Sequence, residues 1–147
     1  MRADFYLIQK PRFRNEPLLL VCELAAKASE AGMSCVILAR DSAQAELLDD
    51  LLWSFKPDAF VPHQIFDPEM MDEGDDGDDG ETMALIVTPE HDVPLPPLVI
   101  NLRDAAVEGS FERVLEVVPA DESARGPLRE RWKQYQARGF ELNKHDM

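Results

Sequence analysis

Basic residues are scarce in this sequence. Its 147 residues include 29 Asp and Glu but only 15 Lys and Arg, which gives a formal net charge of −14 at pH 7. Proteins that bind nucleic acid or anionic membranes through their overall charge need a surplus of cations. We therefore expect no direct contact with nucleic acid or with a membrane, and any negatively charged partner must meet a local basic patch.

Cysteines and long apolar runs are also few. Cys22 and Cys35 each lie inside an apolar segment, and two cysteines are too few for a disulfide framework, so we expect buried, reduced thiols. The N-terminal segment 1–14 lacks the continuous apolar stretch of a signal peptide, and no run approaches the ~18 apolar residues of a membrane helix. These absences predict a soluble, cytoplasmic protein.

Glycine-rich phosphate loops are missing as well. The first glycine is Gly32, so neither G-x-x-x-x-G-K-[ST] nor G-x-G-x-x-G follows the first apolar segment. The sequence also contains no G-x-S-x-G elbow and no H-E-x-x-H pair. The three histidines, His63, His91 and His145, have no nucleophile with which they would form a catalytic pair. We accordingly predict no catalytic site, no cofactor and no bound metal.

Apolar segments of strand length alternate with segments of helical periodicity along the chain. This order predicts a single α/β domain over residues 1–147, in which helices flank a mostly parallel sheet in three layers. Residues 140–147 are predicted to form a C-terminal tail. Strands are predicted at 5–8, 34–39, 83–87, 97–102 and 114–118, with a short extended segment at 59–63. Helices are predicted at 16–32, from Asp41 or Ser42 to Trp53, and from Asp121 or Ser123 to Arg138.

One segment differs sharply in composition from the rest of the chain. Residues 67–81 read D-P-E-M-M-D-E-G-D-D-G-D-D-G-E, with three glycines and no basic residue. The spacing of these acids does not follow the calcium loop of an EF-hand, because Gly77 and Ile86 fall at ligand positions when Asp75 is taken as the first. We predict a mobile acidic loop between two strands.

The predicted last helix has the most distinctive pattern. Two neighbouring stripes at spacings of three and four run along it, one mostly basic and one apolar and aromatic. The basic stripe comprises Arg125, Arg129, Lys133 and Gln136, and the aromatic stripe comprises Leu128, Trp132 and Tyr135. Such a pair of stripes suits a short peptide that is both acidic and apolar. The alternative is an ordinary amphipathic helix, with Trp132 and Tyr135 in the core and solvated cations outside.

The same segment carries a resemblance to a known family. Residues 129–135 read R-E-R-W-K-Q-Y, and residues 139–143 read G-F-E-L-N. This resembles the C-terminal signature of the chi subunit of bacterial DNA polymerase III, R-E-R-[YW]-K-x-Y followed by G-F-x-L-N. Three earlier blocks, at 5–7, 20–26 and 45–63, agree with the family in order and spacing.

The resemblance implies a fold, a role and partners. The fold would be similar to nucleotide-binding domains but without their phosphate loop. The role would be that of a non-catalytic accessory subunit of the replicase, which pairs with the psi subunit and through it joins the clamp loader. Another face of the chi subunit binds the C-terminal tail of single-stranded-DNA-binding protein, which is acidic and ends in an apolar residue with a free carboxylate.

The family's tail-binding positions can be carried over residue by residue. Arg129 and Lys133 match positions that meet the acids and the carboxylate of the tail, and Trp132 stands where the family often has Tyr and would wall the apolar pocket. Gln136 departs from the pattern, since a basic residue can occupy that place. The remaining expected pocket residues are Phe60, Pro62 and Val118, with Trp53 as a neighbour. The acidic segment 67–81 also departs from the family, and close to the basic pocket it would compete for the site.

Two other classes of function stay open on the sequence alone. One is a nucleotide-dependent enzyme built on the same α/β frame, and the other is a module that binds some other acidic peptide. Apolar stripes on the first two helices fit either the sheet or a partner, so they do not identify the surface that faces psi.

Overall fold

A computed structural model describes residues 1–54, 61–66, 84–91, 93, 95–109, 111–119 and 122–146. These ranges contain seven strands: β1 Arg2–Leu7, β2 Cys35–Leu38, β3 His63–Ile65, β4 Ala84–Val87, β5 Leu98–Asn101, β6 Arg113–Val118 and β7 Glu141–Asp146. They also contain four α-helices: α1 Pro11–Asn15, α2 Pro17–Glu30, α3 Ser42–Ser54 and α4 Arg125–Ala137. A short 3₁₀ turn, Glu122–Ala124, precedes α4.

The strands form one sheet in the order β3-β4-β2-β5-β6-β1-β7, and each neighbouring pair is parallel. All four residues of β2 and all four of β5 are buried, which is typical of central strands covered on both faces. The predicted α/β class with a parallel sheet is therefore confirmed.

Two apolar clusters on opposite faces of the sheet give the three layers. Side chains alternate between these faces along β2, so that Cys35 and Ile37 pack with α2 and α3, whereas Val36 and Leu38 belong to the cluster that includes α4. The first face is thus covered by the early helices, and the second by α4 together with the connection between β5 and β6.

Both cysteines are buried and unpaired, as predicted. Burial raises the pKa of Cys22 and that of Cys35 to about 12, so both stay protonated at neutral pH. None of the helices in the described ranges is long and apolar enough to cross a membrane.

The helix boundaries follow local signals. The Asp41 side chain accepts a hydrogen bond of 2.8 Å from the Gln44 backbone N–H at the start of α3. The helix predicted at 16–32 is α2, and a further short helix, α1, precedes it; each of the two begins at a proline. At the other end of the chain, Gly139 adopts a φ of 84° after α4, which turns the chain into β7.

The predicted tail at 140–147 is wrong for the described residues, because Glu141–Asp146 form β7 and pair in parallel with β1. Phe140 is buried against Phe111 and Tyr135. His145 lies on the other face, 3.2 Å from an Asp4 carboxylate oxygen and stacked on the Tyr6 ring. β7 is an edge strand with mostly polar side chains. It therefore shows little apolar periodicity, and the sequence pattern did not predict it.

The acidic segment 67–81 lies outside the described residues. The strands that flank it, β3 and β4, form the edge of the sheet opposite β7. Six strand spacings separate β3 from β7, or roughly 29 Å at about 4.8 Å each. The described residues on either side of the segment, Phe66 and Ala84, therefore lie toward the edge of the sheet remote from β1, β7 and α4.

Candidate functional site

A buried polar network holds α4 against the sheet. Glu116 of β6 is completely buried, and its Oε1 lies 2.8 Å from Nε of Arg131. The Tyr135 hydroxyl and the Asn101 side-chain amide each donate a hydrogen bond to its Oε2, over 2.6 and 2.8 Å. Burial raises the pKa of Glu116, whereas Arg131 and the two neutral donors favour its charged form.

The same face of α4 also binds the connection between β5 and β6. The Tyr135 hydroxyl accepts a hydrogen bond of 2.9 Å from the Val107 backbone N–H, and Arg131 donates one of 3.0 Å to the Asp104 carbonyl. Arg138 donates to the Val107 carbonyl over 2.7 Å. Three side chains, at positions 131, 135 and 138, thus fix the rotation of α4 about its own axis.

That rotation places a second stripe of α4 over β1 and β7. Between these three elements lies a cavity of about 300 Å³ whose floor is apolar. The Phe5 and Trp132 rings pack with their centroids 5.1 Å apart. The lining residues are Phe5, Leu7, Leu128 and Trp132, with the cations Arg129, Lys133 and Lys144.

A second cavity, of about 410 Å³, shares Leu7 and Leu128 with the first and extends it along the start of α4. Its other lining residues are Ile8, Gln9, Arg14, Val118, Pro119 and Arg125. We call the two cavities together the α4 groove. Every charged residue among its described lining residues is basic, although the protein as a whole is strongly acidic.

The chemistry of the α4 groove is that of a binding site. None of its described lining residues is an acid, a histidine, a cysteine, a serine or a threonine, so they supply no carboxylate, imidazole, thiol or hydroxyl group. Throughout the described part of the chain, no cluster of three metal-ligating side chains is found. The groove can pair cations with carboxylates and take an apolar side chain onto an aromatic floor.

The structure brings together only some of the residues predicted from the sequence. Arg129, Trp132 and Lys133 line the first cavity, and Val118 lines the second. Gln136 is exposed on α4 but lies outside the lining of either cavity. Phe60 falls outside the described residues.

Trp53 and Pro62 do not belong to the α4 groove. Trp53 lies near the end of α3, which covers the other face of the sheet, and Pro62 precedes β3 at the opposite edge. The structure thus places these two residues apart from the lining of the α4 groove. Sequence spacing carries no information about that order, since β3 and β7 are edge strands separated by five others.

Trp53 is instead one of two exposed large apolar side chains of α3, Leu47 and Trp53, which we call the α3 patch. Leu47 and Trp53 are 62% and 61% exposed, which is unusual for large apolar side chains. The Trp53 ring lies edge-on to His63 with the centroids 5.0 Å apart. His63 is held by contacts of 2.7 Å to the Val61 carbonyl and 3.2 Å to Asp49.

Sequence reasoning missed Arg131 and Lys144. Arg131 looks like its basic neighbours on α4, but it is buried, and the signal that would have found it is Glu116, a lone acid within the apolar run of β6. Lys144 was assigned to a tail. Its position opposite Phe5 in the β1–β7 pairing brings it to the first cavity.

An arginine lies at the carboxyl ends of the central strands, where related α/β folds bind nucleotides. Arg103 donates hydrogen bonds to the carbonyls of Ala39, after β2, and Val87, in β4, over 2.9 and 3.0 Å. Its backbone N–H is held by Asn101. Arg103 thus joins the carboxyl ends of β2 and β4.

Comparisons with known proteins show which family this chain resembles. The family described as "DNA polymerase III chi subunit, HolC" matches residues 1–143. The DNA polymerase III subunit chi of Pseudomonas aeruginosa is 32% identical over 148 residues, which cover 98% of this chain and 95% of that protein. The subunit chi of Escherichia coli K12 is 32% identical over 126 residues, covering 84% and 81%. That of Haemophilus influenzae is 27% identical over 126 residues, covering 84% and 83%.

Proposed function

This chain belongs to the DNA polymerase III chi subunit family, and we propose that it acts in the bacterial replicase as a non-catalytic adaptor. In this proposal it binds the C-terminal tail of single-stranded-DNA-binding protein and joins the clamp loader through the psi subunit, in the cytoplasm. The observation that supports it best is the α4 groove, a basic, apolar-floored surface on an acidic protein. DNA is then reached through another protein, without direct contact.

The groove suggests how such a tail would lie. The apolar last side chain enters the first cavity, onto Phe5 and Trp132, where burial removes its surface from water. Arg129 and Lys133 stand at the rim of that cavity for the nearby carboxylates. The acids that precede the last residue extend toward Arg125 and Arg14 in the second cavity.

The expected affinity follows from these contacts. Exposed ion pairs contribute about 0–1 kcal/mol each and are screened by salt. Burying one large apolar side chain contributes about 1.5–3 kcal/mol, and ordering the peptide opposes binding. We therefore expect a dissociation constant on the order of micromolar, with a marked dependence on salt concentration.

For psi we propose the α3 patch as the contact surface. Its exposed Leu47 and Trp53 are apolar side chains of the kind that a permanent partner subunit covers. The patch and the α4 groove lie on opposite faces and toward opposite edges of the sheet. Both partners could then bind at the same time, as an adaptor requires.

The experiment is a calorimetric titration of the full chain with a peptide ending in Asp-Asp-Ile-Pro-Phe. We expect Arg129→Ala and Lys133→Ala each to weaken binding about three- to fivefold while the unfolding midpoint stays unchanged. Lys27→Ala is the matched control, because Lys27 is an exposed cation on α2, away from the groove. Wild-type affinity in both groove variants would overturn the assignment of this site.

A further inference from the structure

The terminal strand carries a cation into the first cavity of the α4 groove. In the parallel pairing of β1 with β7, Lys144 lies opposite Phe5, and Phe5 forms part of the cavity floor. Because side chains alternate along a strand, His145 is on the other face of the sheet, against Asp4 and Tyr6. Lys144 of β7 therefore faces the groove, and the next residue, His145, contacts β1 on the other face.

Lys144 and the cations of α4 approach the same apolar floor from two different elements. Arg129 and Lys133 come from the helix, and Lys144 comes from the strand. No described acidic side chain lines this cavity. An anion bound between α4 and β7 would therefore have positive charge on both sides.

The direction proposed above for the tail, combined with the order of residues along the groove, points to that anion. Moving away from the second cavity, the lining residues of α4 run from Arg125 through Leu128 to Lys133, and those of β1 run from Leu7 to Phe5. Lys133 and Lys144 thus belong to the end of the groove remote from the second cavity. A peptide whose preceding acids lie toward Arg125 has its C-terminal carboxylate at this remote end.

We infer that Lys144 is a specificity-determining residue, which with Lys133 binds the terminal α-carboxylate of the peptide proposed above. This inference rests on the proposed function and deepens it, because it makes β7 part of the binding site. A peptide without a free C-terminus loses this contact and keeps the others. The groove would accordingly select chain ends over internal acidic segments of similar composition.

The test is a double-mutant cycle with two peptides, one ending in Asp-Asp-Ile-Pro-Phe with a free carboxylate and the same peptide amidated. Lys144→Ala should weaken binding of the free acid about three- to fivefold and change binding of the amide by less than about twofold. Lys144→Arg should restore most of the affinity, since it keeps the charge. Lys27→Ala again serves as the matched control.

The outcomes separate this inference from the proposed function. Equal losses for the acid and the amide, or no loss with either peptide, would overturn the role of Lys144 while wild-type binding still supported the tail site. No binding of the free acid by the wild type would overturn the tail site, and the inference with it. Unchanged protection of the β7 amides from hydrogen exchange in Lys144→Ala would show that the loss does not come from an undocked strand.

Discussion

The Tyr135 hydroxyl of α4 donates a 2.6 Å hydrogen bond to the Glu116 carboxylate of β6, and both side chains are buried. This contact joins the last helix to the middle of the sheet. Because Arg131 pairs with the same carboxylate from the same side of α4, the helix has one rotation that satisfies both. That rotation presents Arg129, Trp132 and Lys133 to the groove, so binding depends on side chains that do not touch the ligand.

Replacing Tyr135 with Phe should destabilise the protein without reshaping the core. The change removes one donor to Glu116 and the acceptor for the Val107 N–H, and it leaves buried polar atoms unpaired. We expect a loss of about 1–3 kcal/mol in the free energy of unfolding, measured by urea denaturation. Gln136→Ala, on the exposed side of the same helix, should cost less than about 0.5 kcal/mol. Equal effects of the two variants would argue against the network.

Substitutions of Arg131 and Arg129 should have different effects on stability, although the two residues are only two positions apart. Arg131→Met leaves the buried Glu116 carboxylate without its ion-pair partner, and we expect a loss of about 3–5 kcal/mol. Arg129→Ala removes an exposed side chain and should leave stability within about 0.5 kcal/mol while it weakens peptide binding. Denaturation and titration of both variants check this division, and reversed effects would contradict the described rotation of α4.

Asp4 should contribute to stability above acidic pH. Its buried carboxylate lies 2.6 Å from Arg113, 3.1 Å from Arg2 and 3.2 Å from His145. Burial raises the pKa of Asp4, but hydrogen bonds from these three side chains and the charge of Arg113 lower it. The net result is a pKa below the ordinary value of 3.8. A lowered pKa in the folded state means that this stabilisation is present above the unfolded value and is lost as pH falls through the folded one.

Comparison of the wild type with Asp4→Asn isolates that contribution from those of the other acids. The difference in unfolding free energy should shrink as pH falls below the ordinary value of 3.8. Urea denaturation at a series of pH values measures it. A difference that grows toward low pH would mean that the pKa of Asp4 is raised by folding.

The strand β7 should protect its backbone amides from hydrogen exchange. Pairing with β1 gives these amides hydrogen-bond partners, whereas a C-terminal tail would exchange at the rate of an unfolded peptide. Amide exchange followed by NMR distinguishes the two. We expect slower exchange over residues 141–146 than in the unfolded chain, and His145→Ala should reduce the protection, because it removes the contacts to Asp4 and Tyr6.

The α3 patch and the α4 groove should be separable by mutation. Trp53→Ala removes an exposed ring on the first face and should weaken binding of psi at least tenfold, while the affinity for the tail peptide stays unchanged. Arg129→Ala should weaken binding of the tail peptide about three- to fivefold and leave the affinity for psi unchanged. Size-exclusion chromatography with psi and calorimetry with the peptide test both variants, and a single variant that abolishes both interactions while folded would argue against two surfaces.

The fold followed from the sequence wherever burial governs the residue pattern. The runs that became β2 and β5 are apolar throughout because both of their faces are covered, and α3 begins at the capping Asp41. The strand β7 was missed because it is an edge strand with alternating polar side chains. Its pairing is set by contacts with β1, which the local sequence does not reveal.

The candidate site was also predicted only in part. Helical spacing placed Arg129, Trp132 and Lys133 on one side of α4, and the structure keeps them together. Spacing could not reveal that β3 and β7 are opposite edges of the sheet, so Trp53 and Pro62 were grouped with residues that lie far from them.

The central claim is that the α4 groove binds an acidic peptide through its apolar last residue. The most direct measurement is a titration of the wild-type chain with a peptide ending in Asp-Asp-Ile-Pro-Phe and with the same peptide lacking the final Phe. We predict micromolar binding of the first and at least tenfold weaker binding of the second, with both weakened by added salt. Equal affinity for the two peptides, or no binding of the first, would contradict the account.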